Sequence, residues 1–270
     1  MTNDQSGRGD GDLAGRDYWD DIYANAHAPA KPWAPANYEG MALDRQMDAA
    51  IRQASAKSIL EVGCGNSNWL PYLARRHNMS VVAGMDYSKG GCDMAASRLN
   101  EAGVQGDIHC GDLWSVGADE IGTYDFVYSL GLVEHFEDTA GCVGELAKFV
   151  APGGVLFTSV PNLHRSIHGL IMRLWHPKVW RRHQPLDMRH LTEAYESIGL
   201  VDVCSQHVGL ASLGVVSWTV EPRFPFAAKV VAPAVSLCAQ SLSFLLARMG
   251  VYRPCPPLAP YVVAIGSKPA

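Results

Sequence analysis

The chain lacks several patterns that mark common classes of protein. Its seven cysteines form no Cys-x-x-Cys pair and no zinc-finger spacing, which argues against a structural zinc site and a disulfide framework. The N-terminus has no apolar run of the kind that a secretory signal needs, so the sequence predicts a cytoplasmic protein. The 22 basic and 27 acidic residues give a net charge of −5. General nucleic-acid binding is therefore disfavoured, because phosphate contacts need a positive surface.

A long uncharged run, residues 230–247, approaches the length of a membrane span. Proline, serine and glutamine residues interrupt it, and a strand-like run follows at 261–266. That strand must join the same sheet as the strands before it, which a single membrane crossing would prevent. The sequence therefore predicts no transmembrane span but an amphipathic helix at 224–247, which caps a pocket or forms a homodimer contact.

At 270 residues the chain is long enough for one large domain with insertions. Glycine and aspartate are frequent in residues 1–17, which are predicted to be disordered. Residues 18–56 are predicted to be mainly helical. Residues 57–270 form the predicted core, in which strand-like and helical patterns alternate as in a doubly wound parallel sheet. Two segments exceed that plan and are predicted as helical insertions, at about 161–190 and 211–258.

The most informative stretch begins with an apolar run that ends at Glu61 and Val62. Gly63, Gly65 and a polar helix start follow it, which is typical of a buried strand that turns into a helix. Such a turn presents backbone N–H groups to a ligand at the strand end. Glycine has no Cβ and lets the ligand approach the backbone closely. Alone, this turn fits dinucleotides and other nucleosides equally well.

Acidic residues follow the next two strand-like runs. Asp86 ends the second run, where a carboxylate can accept hydrogen bonds from both hydroxyls of a ribose. Asp112 follows the third run and suits the exocyclic amine of a purine. A fourth run, at 124–130, leads to the pair Glu134 and His135. The four features together predict a nucleoside site along one edge of the sheet.

This ordered series resembles the class I S-adenosylmethionine-dependent methyltransferases, in the version whose fourth strand is followed by a Glu-His pair. The likeness covers residues 57–160, and Ser67 stands where the family has its third glycine. It implies an α/β fold with a Rossmann-like, doubly wound, seven-stranded, mostly parallel sheet whose last strand is antiparallel, plus helical lid and cap insertions. It also implies S-adenosyl-L-methionine as the cofactor and a small molecule as the acceptor.

The resemblance assigns roles to individual residues. The implied cofactor contacts are Glu61, Gly63 and Gly65 for the methionine portion, Asp86 and Tyr87 for the ribose and the adenine face, Asp112 and Leu113 for the adenine edge, and the backbone of Leu130. In similar enzymes the segment before the first strand folds over the site as a lid. Residues 18–56 are therefore predicted to be a lid, with substrate contacts from Tyr18, Trp19, Tyr23 and Trp33, or with these aromatic side chains simply packed on the core.

His135 is the candidate for the catalytic residue, as a base or as a group that orients the acceptor. It follows the fourth strand, and a histidine takes up a proton near neutral pH. The alternative is that the Glu-His pair only shapes the pocket or holds the lid.

Residues 161–190 contain five of the ten histidines and are rich in arginine. They fit a basic lid for an acidic acceptor, or a solvated helix face. A metal site is disfavoured, because only His164 and His168 are placed together by their spacing. No metal is therefore expected, and His190 is expected to face the acceptor.

The sequence favours O-methylation of a small, largely apolar acceptor by in-line displacement without a metal, in small-molecule biosynthesis or secondary metabolism. N-, C- and S-methylation remain open, as do methylation of RNA or protein and cofactor binding without catalysis. A nicotinamide-dependent dehydrogenase is set aside, because no residue pattern marks a hydride-transfer site.

Overall fold

The computed structural model describes residues 11–24, 34–210, 225–249 and 254–270. Apolar runs of the sequence form the strands of a single seven-stranded sheet. The strands are β1 (Ser58–Val62), β2 (Val81–Asp86), β3 (Asp107–Cys110), β4 (Tyr124–Leu130), β5 (Val150–Pro161), β6 (Val201–Val208) and β7 (Tyr261–Ser267).

The strand order is β3-β2-β1-β4-β5-β7-β6. Strands β1 to β5 pair in parallel, whereas β7 lies antiparallel between β5 and β6. The predicted mostly parallel, doubly wound sheet with an antiparallel last strand is confirmed. The direction of winding reverses between β1 and β4, and ligands bind beside such a switch point in open α/β sheets.

Helices connect the strands and cover the sheet. They are α1 (Arg16–Ala24), α2 (Tyr38–Gln53), α3 (Trp69–His77), α4 (Lys89–Glu101), α5 (Ala118–Ile121), α6 (Thr139–Lys148), α7 (Ile167–Trp175), α8 (Pro177–Trp180), α9 (Met188–Ser197) and α10 (Pro225–Arg248). A 3₁₀ turn at Val133–His135 follows β4. No helix in the described ranges has both the length and the hydropathy that crossing a membrane requires.

Two hydrophobic cores, one on each face, fix the sheet between its helices. One contains residues of α2 and α3, including the fully buried Met47 and Leu73, packed with Phe126 of β4. The other contains Leu146 of α6 and Tyr195 of α9. Burying one such side chain stabilises the fold by about 1.5–3 kcal/mol, so the sheet is a rigid support for residues at its strand ends.

The N-terminal segment differs from the prediction. The backbone N–H of Leu13 donates to the carbonyl of His135 (2.8 Å), and that of Glu137 donates to the carbonyl of Gly11 (2.9 Å). Helix α1 begins at Arg16. The prediction of disorder over residues 1–17 is therefore wrong for residues 11–17, because pairing with the turn after β4 satisfies their backbone groups. Residues 1–10 lie outside the described part.

The structure describes the first predicted insertion completely and the second in part. The first, at 161–190, contains α7 and α8 and the start of α9. Strand β5, which precedes this insertion, begins at Val150, where Val150 pairs with Tyr124 beside a β-bulge. The second insertion is described only over 225–249 and from 254 onward.

In helix α10, the apolar side chains of Leu237 and Leu245 are exposed, whereas Ser243 is buried. No described residue of this helix lines the cavity that is reported below, which speaks against the predicted cap. The homodimer contact at 224–247 stays a prediction.

Candidate active site

A cavity of about 310 Å³ lies at the carboxyl ends of β1, β2 and β4, beside the switch point. Residues that follow these strands form one wall, and helix α1 forms part of the opposite wall through Trp19, Ile22 and Tyr23. The cavity opens between the ends of these strands, which are buried in the core, and helix α1. The arrangement matches the place where open parallel sheets bind their ligands.

The turn after β1 brings the backbone close to the cavity. Gly63 has a φ of +76°, a conformation that other residues adopt only with strain. The backbone N–H groups of Gly63 and Cys64 donate to the carbonyl of Met85 in β2, at 2.8 and 3.1 Å. A Cβ on Gly65 would lie 2.0 Å from the hydroxyl of Tyr23, so α1 packs directly on this turn.

Asp86, at the end of β2, is held by backbone donors. Its Oδ1 accepts from the N–H of Ser88 and its Oδ2 from that of Gly65, both at 2.9 Å. The hydroxyl of Tyr23 lies 3.4 Å from the same Oδ2. Burial raises the pKa of Asp86, and the two N–H donors oppose that rise because they stabilise the ionised form. The carboxylate is thus fixed at the edge of the cavity.

Glu61, at the end of β1, is 1% exposed. The hydroxyl of Tyr128 donates to its Oε2 at 2.8 Å, and the hydroxyl of Ser67 is a second partner. Ser67 thus contributes a hydrogen bond where the family has a glycine. Burial raises the pKa of Glu61 to about 8, so the carboxyl is mostly protonated at neutral pH until a cation approaches.

Asp112 and Tyr87 complete the same end of the cavity. Asp112 Oδ1 accepts from the backbone N–H of Trp114 at 2.9 Å, which fixes the carboxylate after β3. The Tyr87 hydroxyl lies 3.4 Å from Oδ2 of Asp12. The guanidinium of Arg16 lies over the Tyr87 ring, 5.4 Å from its centre. This end therefore combines three acids with an aromatic face, which suits a nucleoside with a positively charged tail.

The other end of the cavity is aromatic. The Trp19 ring meets the His135 ring edge to face, with centres 5.2 Å apart. Trp114 and Phe136 pack against each other with centres 4.5 Å apart. His135 is 4% exposed, and its Nδ1 lies 2.7 Å from the carbonyl of Arg182. Because a carbonyl only accepts, Nδ1 carries the proton. Burial lowers the pKa of His135 to about 3, so the ring is uncharged at neutral pH.

Two groups of metal-ligating residue types occur in the described part. Glu134, His135 and His183 form one group, and its members are largely buried. His164, Asp187 and His190 form the other, and its members are more exposed. His168, which the sequence places four residues after His164, belongs to neither group.

A protein-family model described as "Methyltransferase domain" matches residues 39–205, which is more than half of the chain. The chain belongs to the methyltransferase-domain family. With the ordered acids at the strand ends, it has the fold and the site pattern of the class I S-adenosylmethionine-dependent methyltransferases.

Two curated relatives and one solved structure illustrate the likeness. The methyltransferase is 27% identical over 150 residues to a ubiquinone biosynthesis O-methyltransferase of Idiomarina loihiensis, covering 51% of this chain and 60% of that protein. It is 29% identical over 158 residues to a trans-aconitate 2-methyltransferase of Acidovorax ebreus, covering 55% and 58%. It thus spans somewhat less than two thirds of these relatives.

The solved structure is a phosphoethanolamine N-methyltransferase 2 of Haemonchus contortus in complex with S-adenosyl-L-methionine. The similarity has a TM-score of 0.53 at 14% identity and covers 84% of this chain and 53% of that one. At this identity the likeness shows a shared fold.

The methyltransferase brings most of the predicted cofactor residues together. Seven of the eight line the cavity: Glu61, Gly63, Asp86, Tyr87, Asp112, Leu113 and Leu130. Gly65 does not line the cavity. Its backbone N–H donates to Oδ2 of Asp86 and so holds that cavity residue in place. The carboxyl ends of neighbouring parallel strands lie at the same edge of the sheet, which explains why sequence order alone located them.

Only some of the residues predicted to contact the acceptor line the cavity. Trp19, Tyr23 and His135 line the cavity. Tyr18 does not, and instead lies beneath the Arg182 guanidinium, 4.1 Å from its ring centre. Trp33 lies outside the described residues.

His190 is also absent from the cavity lining. It lies in the first turn of α9, where its Nδ1 is 2.8 Å from an oxygen of Asp187, the N-cap. The structure thus places it in a local helix cap instead of at the acceptor.

Asp12, Trp114 and Phe136 also line the cavity, although the sequence analysis did not predict them as site residues. Trp114 follows Asp112 directly, and Phe136 follows His135, so their proximity to predicted site residues was an available signal. Asp12 had no such signal, because only the pairing of the N-terminal segment with the turn after β4 brings it there.

Proposed function

We propose that this methyltransferase transfers a methyl group from S-adenosylmethionine to an oxygen atom of a small, largely apolar acceptor. The observation that carries the proposal is the division of one cavity into an acidic end and an aromatic end. The acidic end suits the cationic, nucleoside-containing donor. The aromatic end suits the acceptor, and the sulfonium methyl would lie between the two.

At the donor end, each acid has a partner on the cofactor. Asp86 accepts from the ribose hydroxyls, and its two backbone donors keep the carboxylate oriented towards them. Asp112 accepts from the exocyclic amine of adenine, and Tyr87 contacts the adenine face. Glu61 pairs with the methionine ammonium, whose charge favours the ionised carboxylate over the protonated form.

At the acceptor end, Trp19, Trp114 and Phe136 form an apolar wall that excludes water. Methyl transfer from a sulfonium is an in-line displacement, and the acceptor atom must lie about 3 Å from the methyl carbon, opposite the sulfur. The donor carries its activation as positive charge, so the displacement itself needs no metal. Positioning and desolvation supply much of the catalysis.

His135 is the polar group of the aromatic end. Its Nδ1–H donates to the Arg182 carbonyl, so Nε2 keeps its lone pair and can accept a hydrogen bond. An acceptor hydroxyl donates to this nitrogen and is thereby oriented towards the methyl group. With a pKa of about 3, the ring is a weak base and acts by orienting the acceptor, and the hydroxyl proton goes to bulk water when the oxygen is methylated.

Oxygen is the favoured acceptor atom because relatives named as ubiquinone biosynthesis O-methyltransferases match 51% and 40% of the chain. A hydroxyl also matches the hydrogen-bond acceptor that His135 offers.

The test is a screen of phenols, carboxylic acids, amines and thiols with S-adenosylmethionine, read by mass spectrometry as one added methyl group with equimolar S-adenosylhomocysteine. Asp86→Ala serves as the control that lacks the ribose contact. Methylated phenols or carboxylic acids support the proposal. Products formed only from amines or thiols contradict O-methylation, and S-adenosylhomocysteine without any product contradicts the acceptor class.

A further inference from the structure

Glu134, His135 and His183 bring three metal-ligating side chains into one cluster beside the acceptor end of the cavity. A carboxylate oxygen of Glu134 and one ring nitrogen of each histidine lie within 4.8 Å of one another. Glu134 and His135 belong to the 3₁₀ turn after β4, whereas His183 comes from the insertion after α8. The ring centres of the two histidines are 4.4 Å apart.

Both histidines are held in the same tautomer by the backbone. Nδ1 of His135 lies 2.7 Å from the carbonyl of Arg182, and Nδ1 of His183 lies 2.8 Å from the carbonyl of Val179. Each Nδ1 must carry the proton, because a carbonyl has none to give. Each Nε2 therefore keeps its lone pair. Histidines that bind metals are oriented in this way, by donating the other ring N–H to a carbonyl or carboxylate.

Glu134 provides a second, independent observation. It is 2% exposed, and no donor in the described part of the chain lies within hydrogen-bond distance of its Oε2. Leaving a buried carboxyl oxygen without a partner costs about 1–3 kcal/mol, so the orphan oxygen calls for a ligand. The other oxygen, Oε1, lies 3.5 Å from where a Cβ on Gly131 would be, and Gly131 lines the cavity.

We propose that Glu134, His135 and His183 bind a divalent transition-metal ion, with zinc the best match, at the acceptor end of the cavity. Two imidazoles and one carboxylate are a donor set of catalytic zinc sites, which keep a fourth position for water or substrate. Bond lengths of about 2.0–2.2 Å place tetrahedral ligand atoms about 3.3 Å apart. Reaching that spacing requires the ligand atoms, which lie within 4.8 Å of one another, to approach by up to about 1.5 Å. The site revises the sequence-based expectation of no metal.

One cationic side chain lies close to the cluster. Arg182 is the nearby opposing charge, and its guanidinium is directed over the Tyr18 ring.

The second cluster, His164 with Asp187 and His190, is a weaker candidate. Oδ1 of Asp187 accepts from the N–H groups of Arg189 and His190 as the cap of α9, so that carboxylate is already used. Its members are also partly exposed to solvent. This cluster therefore provides a control: His164→Ala removes a partly exposed histidine of similar chemistry without touching the proposed site.

A metal at the first cluster changes how the acceptor is activated. The acceptor hydroxyl would take the fourth position in place of its hydrogen bond to His135, and the metal would lower its pKa so that its proton is lost to bulk water. This catalytic consequence rests on the proposed function. The metal binding itself does not, because it needs neither donor nor acceptor.

The test is titration of the chelator-treated full chain with Zn²⁺ by calorimetry, and with Co²⁺ by visible absorption, which reports tetrahedral ligands. Wild type and His164→Ala are expected to bind one equivalent with the same affinity. Glu134→Gln, which keeps the side-chain shape, and His183→Ala are expected to bind Zn²⁺ at least about tenfold more weakly. Thermal unfolding checks that each variant is folded.

Folded wild type that shows no saturable site, or variants Glu134→Gln and His183→Ala that bind as wild type does, would overturn the proposal. Loss of binding in His164→Ala would assign the metal to the second cluster instead. S-adenosylmethionine binding is measured on the same samples. Intact cofactor binding without metal binding refutes only the metal site, and the reverse result refutes only the proposed function.

Discussion

Glu61 is expected to release a proton when S-adenosylmethionine binds. In the unliganded protein, burial raises its pKa to about 8. At pH 7, Glu61 is therefore protonated in about nine tenths of the molecules. The methionine ammonium favours the ionised carboxylate, because an opposite charge within a few ångströms lowers a carboxyl pKa. Binding at pH 7 should thus release about 0.9 proton from this site.

The sign of the pH dependence follows from the same shift. Because the free protein holds the proton and the complex does not, raising the pH favours the complex. The apparent affinity should rise with pH up to about 8, where Glu61 ionises without help. At pH 9 the release from Glu61 should fall to about 0.1 proton.

Calorimetry in buffers with different ionisation enthalpies counts the protons directly. The slope of observed enthalpy against buffer ionisation enthalpy gives the number released, and Glu61→Gln is the matched control because it keeps the shape but not the titration. The variant should lose the Glu61 contribution and bind more weakly at pH 8. Equal slopes for wild type and Glu61→Gln at pH 7 would refute the pairing of Glu61 with the ammonium.

Three further substitutions test the two ends of the cavity. Asp86→Ala should weaken S-adenosylmethionine binding by more than about tenfold, because hydrogen bonds to the ribose are lost; an unchanged dissociation constant by calorimetry would remove the ribose assignment. Trp19→Ala should lower the turnover number while the cofactor dissociation constant changes by less than about threefold, since Trp19 packs on His135 at the acceptor end; the opposite pattern would move Trp19 to the donor site. Tyr128→Phe removes the 2.8 Å donor of buried Glu61 and should lower the free energy of unfolding by about 1–3 kcal/mol in urea. An unchanged urea midpoint would show that this hydrogen bond adds no stability.

Local sequence patterns were sufficient for the sheet and for most of the donor site. The apolar runs that end at Val62 and Asp86 form β1 and β2, and both strands end at those residues. Parallel strands present their carboxyl ends at one edge, so chain order alone places these acids together.

The acceptor end depends on contacts between distant segments, which no local pattern encodes. The Arg182 carbonyl lies beside the His135 ring only because the insertion folds back over the turn after β4. Histidine spacing within 161–190 therefore showed no set of metal ligands, although His183 meets Glu134 in the folded chain. The position of His190, in contrast, is determined locally, because it belongs to the helix cap formed by Asp187. The sequence shows this signal as an aspartate three residues before His190.

Calorimetry of the purified protein with S-adenosylmethionine and, separately, with NAD tests directly whether the cavity is an S-adenosylmethionine site. We expect micromolar binding of S-adenosylmethionine and no binding of NAD, because the acids of the cavity suit a cationic donor and repel a pyrophosphate. Failure of the folded protein to bind S-adenosylmethionine, or tighter binding of NAD, would contradict this assignment.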